Sequence, residues 1–140
     1  MTGFSGGCFC GKVRYESAVD LPDMVQCHCR DCQYVSGGGP ANVLIMSRAD
    51  ITITQGEKNQ LSSFTCKSAQ NNMVTRMFCS ECGTSMFTTL DSSPDLFAVK
   101  VGTLDDASKL KVGTILWAGS AQPWAHLDDG IPTFEENPIY

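Results

Sequence analysis

The segment Phe78-Cys79-Ser80-Glu81-Cys82-Gly83-Thr84 decides how this chain is read. Its two cysteines are followed by a glycine, which permits the left-handed backbone that curls a knuckle around an ion. Neighbouring sulfurs on a tetrahedral zinc lie about 3.7–3.8 Å apart, given a Zn–S bond of about 2.3 Å, and one turn of chain supplies that spacing. Working outward, Gly7-Cys8-Phe9-Cys10-Gly11 sets two thiols on one face of an extended segment whose flanking glycines let it bend. Together the C-x-C and the distant C-x-x-C make a closed site of Cys8, Cys10, Cys79 and Cys82 that staples the N-terminus to the middle of the chain. Closed four-ligand sites are structural.

A second cluster, Cys27-His28-Cys29-Arg30-Asp31-Cys32-Gln33, offers three thiols and no obvious fourth. Three protein ligands and an open position are the pattern of a catalytic zinc, and an ion with one thiolate fewer is the better Lewis acid. An outside thiol or an incoming carbonyl would suit the open position, so the cluster points to sulfur–carbon chemistry. The alternative is that Cys66, His28 or His126 closes this site and makes it structural as well. An iron–sulfur cluster is the weaker reading, because the spacings do not match those of ferredoxins.

Composition sets the limits. The chain has 140 residues, 42% hydrophobic and 18% charged, which fits one domain with its own core and excludes wholesale disorder. The net charge of −5 and the lack of any basic run exclude nucleic-acid binding. Residues 1–76 carry seven basic and six acidic side chains, against three and nine in 77–140, so an anionic ligand is expected nearer the first half. No apolar run approaches a membrane span. Met1 to Gly7 lacks the basic and apolar regions of a secretory signal, so the expected compartment is the cytoplasm. Disulfides are rare there, which turns eight cysteines toward metal or catalysis.

Short β-branched or alternating runs between turn formers predict strands at Lys12–Glu16, Ala41–Met46, Ile51–Gln55, Gln60–Phe64, Val74–Phe78, Ser85–Thr89, Phe97–Val101 and Thr114–Trp117. The expected fold is mainly β with little helix. A short helix is expected over Arg30–Tyr34. Ser36-Gly37-Gly38-Gly39-Pro40 reads either as a loop that admits a ligand or as a plain connector. The turn-rich stretch from Pro123 to Phe134 is expected to wrap the surface, with Trp117 and Trp124 as core or lid aromatics and His126 solvated.

These clusters resemble the glutathione-dependent formaldehyde-activating enzymes and their relatives, which include the domain of centromere protein V. The resemblance rests on Gly7 to Tyr15, Cys27 to Gln33 and Arg76 to Thr84, and continues through Gly102-Thr103-Leu104-Asp105-Asp106 and Gln122-Pro123-Trp124 to Phe134. It implies a β-tent of antiparallel sheets, a structural zinc on Cys8, Cys10, Cys79 and Cys82, and a catalytic zinc on Cys27, Cys29 and Cys32. The implied activity joins glutathione to formaldehyde, that of a carbon–sulfur lyase. Where members often read Pro-Thr-Ala-His-Ile-Trp, this chain has Val112-Gly113-Thr114-Ile115-Leu116-Trp117, with Ile115 in the place of the histidine.

The first expectation is therefore an enzyme that joins a small glutathione-like thiol to a small aldehyde. Arg30 and Arg76 are the candidate anchors for the anionic thiol, each otherwise a surface ion-pairing residue. Asp31, His28 and zinc-bound water are candidate proton donors. The competing expectations are a zinc-stapled binding module with two structural ions, and a thiol-redox protein in which the open cluster forms disulfides. Cys66 fits none of them and reads as a small, partly buried residue.

Overall fold

The structure is a computed structural model that describes residues 3–137, so the Met1 and Thr2 of the leader argument lie outside the described residues. Ten strands run in chain order as β1 (Phe4–Gly7), β2 (Arg14–Ser17), β3 (Met24–Cys27), β4 (Ala41–Ser47), β5 (Thr52–Gln55), β6 (Leu61–Lys67), β7 (Met73–Cys79), β8 (Ser85–Leu90), β9 (Ser93–Lys100) and β10 (Val112–Leu116). One α-helix, α1 (Arg30–Ser36), follows β3. All eight expected strands and the helix are present, with shifted ends. The fourth runs on to Lys67, the seventh begins at Ser93, and the last spans Val112–Leu116. It stops at Trp117, whose left-handed backbone (φ 58°) breaks the pleat. The first strands, β1 and β3, were not expected.

The strands form two sheets, β1-β2-β5 and β10-β3-β4-β9-β8-β7-β6. Pairing is antiparallel except for β3 with β10, which run parallel. Alternation along each strand gives the large sheet two faces. On one, Leu44, Met46, Phe97 and Val99 meet Val13, Tyr15 and Phe87 to form the core beneath the small sheet. Phe87 stacks on Phe97 with centroids 4.6 Å apart and takes Tyr15 edge-on at 5.3 Å. The Tyr15 hydroxyl ends in a 2.7 Å hydrogen bond with Thr103, so this buried phenol keeps a polar partner. The opposite face carries Val43, Ile45, Ala98 and Lys100, and it lines a cavity. Among the described residues no helix is long and apolar enough to cross a membrane.

Candidate metal centres and active-site cavity

The first cluster forms where the two sheets meet. Cys8 and Cys10 sit in the turn after β1, Cys79 ends β7, and Cys82 lies in the knuckle that follows it. The two turns use the same device. Gly11 (φ 81°) follows Cys10 and Gly83 (φ 76°) follows Cys82, and their amides donate to the carbonyls of Cys8 and Cys79 at 3.1 and 2.8 Å. The sulfurs of Cys8 and Cys10 are 3.5 Å apart and those of Cys10 and Cys79 3.8 Å, and all four lie within 4.8 Å of one another. That is the spacing of a tetrahedral all-sulfur zinc site, and the cluster can hold a metal ion. Donors already surround the sulfurs. The Val13 amide lies 3.3 Å from the Cys8 sulfur, and the Thr84 hydroxyl 3.1 Å from that of Cys82. The Thr84 hydroxyl is the main reason that the Cys82 thiol is drawn down to about 5, toward the thiolate that a metal requires.

Cys27 ends β3, Cys29 caps α1, and Cys32 lies in the first turn of that helix. The Cys29 sulfur accepts the Cys32 amide at 3.3 Å, in the place where serine or aspartate usually caps a helix. The three sulfurs lie within 4.8 Å of one another, so this cluster too can hold a metal ion. Its Cys29 thiol is drawn down to about 2, chiefly by the neighbouring thiols of Cys27 and Cys32, while Cys29 and Cys32 push Cys27 up. No further His, Cys, Asp or Glu ligand joins the group among the described residues. The three candidates for a closing ligand are engaged elsewhere or kept apart. Cys66 accepts the Arg76 guanidinium at 3.2 Å. His126 is exposed and pairs with Asp128 at 2.8 Å. His28 is buried with no partner for its Nε2 among the described residues, and burial lowers its pKa.

The three-cysteine cluster lies at one end of a cavity of about 220 Å³ on the outer face of the large sheet. Cys27, Cys29, Asp31 and Cys32 line the cavity together with Lys100 and with Arg76, which stands in the row of Thr88 and Ala98. Burial pulls the Lys100 ammonium below its usual range, against the attraction of Cys32. The cavity therefore takes one cation from each half of the chain. Arg30 turns the other way. It bonds Gln33 Oε1 at 2.5 Å, lies over the Tyr34 ring at 5.0 Å, and lines a separate hollow with Gly37, Gly38 and Trp124. The glycine loop starts as the cap of α1, where Gly37 donates to the Gln33 carbonyl at 3.1 Å, so it is a helix end leading into β4.

Sequence reasoning did not single out Lys100, Gln33 or Thr88. The buried Gln33 amide donates to the carbonyls of His28 at 2.8 Å and Ser120 at 3.0 Å, and its oxygen accepts Gln122 at 2.9 Å, fixing α1 and its cysteines against the C-terminal segment. Lys100 was legible in one way, as the polar end of a strand whose neighbour Val99 points into the core. One side of the cavity is a bridge that starts beside the cysteine row, where Leu116 pairs with Cys27. Trp117 Nε1 donates to Asn137 Oδ1 at 2.7 Å, and Asn137 Nδ2 donates to Gln70 Oε1 at 2.9 Å. Beyond it, the turn-rich stretch runs along β10 as expected, with Phe134 bonded to Ile115 at 2.9 Å. Ile115 itself is fully buried, and its neighbours Leu116 and Trp117 face the cavity instead.

Comparison with known proteins agrees with this architecture. A crystal structure of a Rhodobacter sphaeroides protein, solved by structural genomics, superposes with a TM-score of 0.57 over 93% of this chain and 98% of that one, at 21% identity, and so shares the fold. No curated protein sequence matches. The model of the family described as glutathione-dependent formaldehyde-activating enzyme matches residues 3–120, a span that includes both cysteine clusters and both cavity cations. The chain belongs to the glutathione-dependent formaldehyde-activating enzyme family.

Proposed function

We propose that this protein is a zinc-dependent carbon–sulfur lyase of the reducing cytoplasm that joins glutathione, or a related small thiol, to formaldehyde or another small aldehyde. The observation that carries this reading is the three-cysteine cluster, open toward a cavity that also holds Arg76 and Lys100. A zinc ion on Cys27, Cys29 and Cys32 would supply Lewis acidity and one exchangeable position. A second zinc, on Cys8, Cys10, Cys79 and Cys82, would be structural.

The chain's own residues do the rest. Arg76 and Lys100 attract the carboxylates of the thiol substrate, and their half-buried setting makes that attraction stronger than on open surface. Arg30 lines a separate hollow and is not among the residues of this cavity. The thiol gives up its proton, its sulfur bonds to the carbonyl carbon, and the carbonyl π pair moves to oxygen, which takes up a proton. Nothing is oxidised or reduced. Asp31 is the carboxylate on the cavity wall and holds the proton in transit, whereas His28 is not part of that wall. Gln33 positions α1 and thereby Cys29 and Cys32.

Exchange spectroscopy by NMR, with labelled formaldehyde and glutathione, tests the proposal. Exchange between free aldehyde and adduct should speed up in proportion to protein, and Cys29→Ser should abolish the effect while circular dichroism stays unchanged. Exchange no faster than in buffer alone would refute it.

A further inference from the structure

The floor of the cavity is larger and more apolar than formaldehyde requires. Beyond the cysteine end, its face consists of Val43, Ile45, Val74, Leu90, Leu96 and Ala98. Strand register makes this surface continuous, since Ile45 pairs with Ala98, and Ala98 with Thr88. Ala41 pairs with Cys27 and marks the cysteine row. From there to Ile45 the floor extends by about 13 Å, at about 3.3 Å per residue of strand. Ile45, Leu96 and Leu90 are 44%, 42% and 37% exposed, although the core lies on the opposite face of the same strands. Large apolar side chains gathered in one concave surface mark a binding site.

Charge decides what occupies it. The six floor residues bear no charge: Lys100 and Asp31 line the cavity with the cysteines, and Arg76, in the row of Thr88 and Ala98, turns its guanidinium to Cys66. A glutathione laid along the floor would find Arg76 for a carboxylate but would set the rest of its charged groups over Ile45, Leu90 and Leu96, whose side chains have no polar atoms, and this disfavours it. Formaldehyde has no apolar part to cover the floor. A substrate with a reactive carbonyl at one end and a hydrocarbon tail fits both parts of the cavity.

We propose that the aldehyde substrate is an unbranched aliphatic aldehyde whose tail lies on the floor formed by Ile45, Ala98, Leu96 and their neighbours, with its carbonyl at the three-cysteine end. This inference rests on the thiol–aldehyde reading above. The covalent change is the same: the thiol sulfur bonds to the carbonyl carbon, and the proton lost by sulfur is matched by one gained at oxygen.

The test uses the metal-loaded protein and two homologous series. In the first, 1-propanol, 1-pentanol and 1-heptanol, which do not react, are titrated while the methyl signals of Ile45, Leu90 and Leu96 are followed by NMR. Affinity should rise by about fourfold for each added methylene, and these methyls should move most. In the second, kcat/KM with glutathione should rise with a similar slope from propanal to heptanal, aldehydes of matched reactivity. Ala98→Phe, which fills the floor, should flatten both slopes, with metal content and melting temperature as the control for folding. If that variant fails to fold, the wild-type alcohol titration decides. Binding independent of chain length, methyl shifts elsewhere, or a dimer that covers the floor and blocks 1-heptanol would overturn the proposal. Length-dependent alcohol binding at these methyls, without acceleration of any aldehyde, formaldehyde included, would refute the thiol–aldehyde reading and the aldehyde as ligand, leaving only an apolar site.

Discussion

The two cysteine clusters use the same ligand chemistry for opposite ends. Cys8, Cys10, Cys79 and Cys82 come from two turns 69 residues or more apart in sequence, and their sulfurs close on one another where the small sheet meets the large one. Cys27, Cys29 and Cys32 come from one strand end and the helix that follows it, and they face a cavity. The first set joins distant parts of the chain, so a metal bound there adds to folding free energy. The second joins residues already held together by α1 and Gln33, so a metal there would add little to the fold and would stay open to a ligand. Ligand count alone does not separate these roles; the separation of the ligands along the chain does.

Substitutions that exchange sulfur for oxygen put the largest strain on this contrast. Cys79→Ser should unfold the chain, because apparent binding free energies of structural zinc are on the order of 10 kcal/mol. Cys29→Ser should leave the melting temperature within a few degrees of wild type. Thermal melts followed by circular dichroism check both, and equal losses would erase the distinction. A smaller effect is expected at the cavity cations. Lys100→Met keeps the aliphatic stem and removes the charge, and should raise KM for glutathione by about tenfold, or about 1.4 kcal/mol, with kcat and melting temperature little changed.

Smaller still is the effect at Thr88, whose hydroxyl is buried without a partner among the described residues. Thr88→Val removes that unpaired group and should stabilise the protein by about 1 kcal/mol, seen as a rise of a few degrees in melting temperature. The smallest concerns the exposed pair of Arg14 and Asp105, joined at 2.9 Å and again at 2.5 Å. Hydrogen bonds from Arg14 and then Ser5 hold the Asp105 carboxyl down from 3.8 to about 2. A depressed acid stabilises fully above its unfolded pKa and loses that contribution only as pH falls through the folded one. Solvent screening keeps the contribution below about 1 kcal/mol. Asp105→Asn should therefore lower stability slightly at neutral pH and leave the acid unfolding midpoint in place, because cysteine protonation releases the metal at higher pH. A midpoint that moves with Asp105→Asn would assign acid unfolding to this pair.

Much of this contrast was legible in the sequence, because metal ligands are bound by spacing and spacing is local. The strands with β-branched alternation, such as Ala41–Ser47, were legible for the same reason. β1 was not, since Phe4-Ser5-Gly6-Gly7 has the composition of a turn and is held as a strand by pairing with Arg14–Ser17. β3 was not either, because it is held between β4 and β10, and β10 lies far along the chain and pairs in parallel. The cavity floor was hidden by its own chemistry. Ile45 and Leu96 lie on strands that are apolar on both faces, and such a run reads as core on both sides. Arg76 was picked out beside its knuckle, whereas Lys100 is marked by its alternation with Val99 and by the register that sets it opposite Val43.

Native mass spectrometry of protein purified with reductant and without chelator tests the division of labour most directly, with wild type and Cys29→Ser compared in the presence and absence of glutathione. The account predicts two zinc ions and a glutathione adduct in wild type, and one zinc, no adduct and an unchanged fold in the variant. A single zinc in wild type, or a Cys29→Ser chain that loses both ions and unfolds, would contradict it.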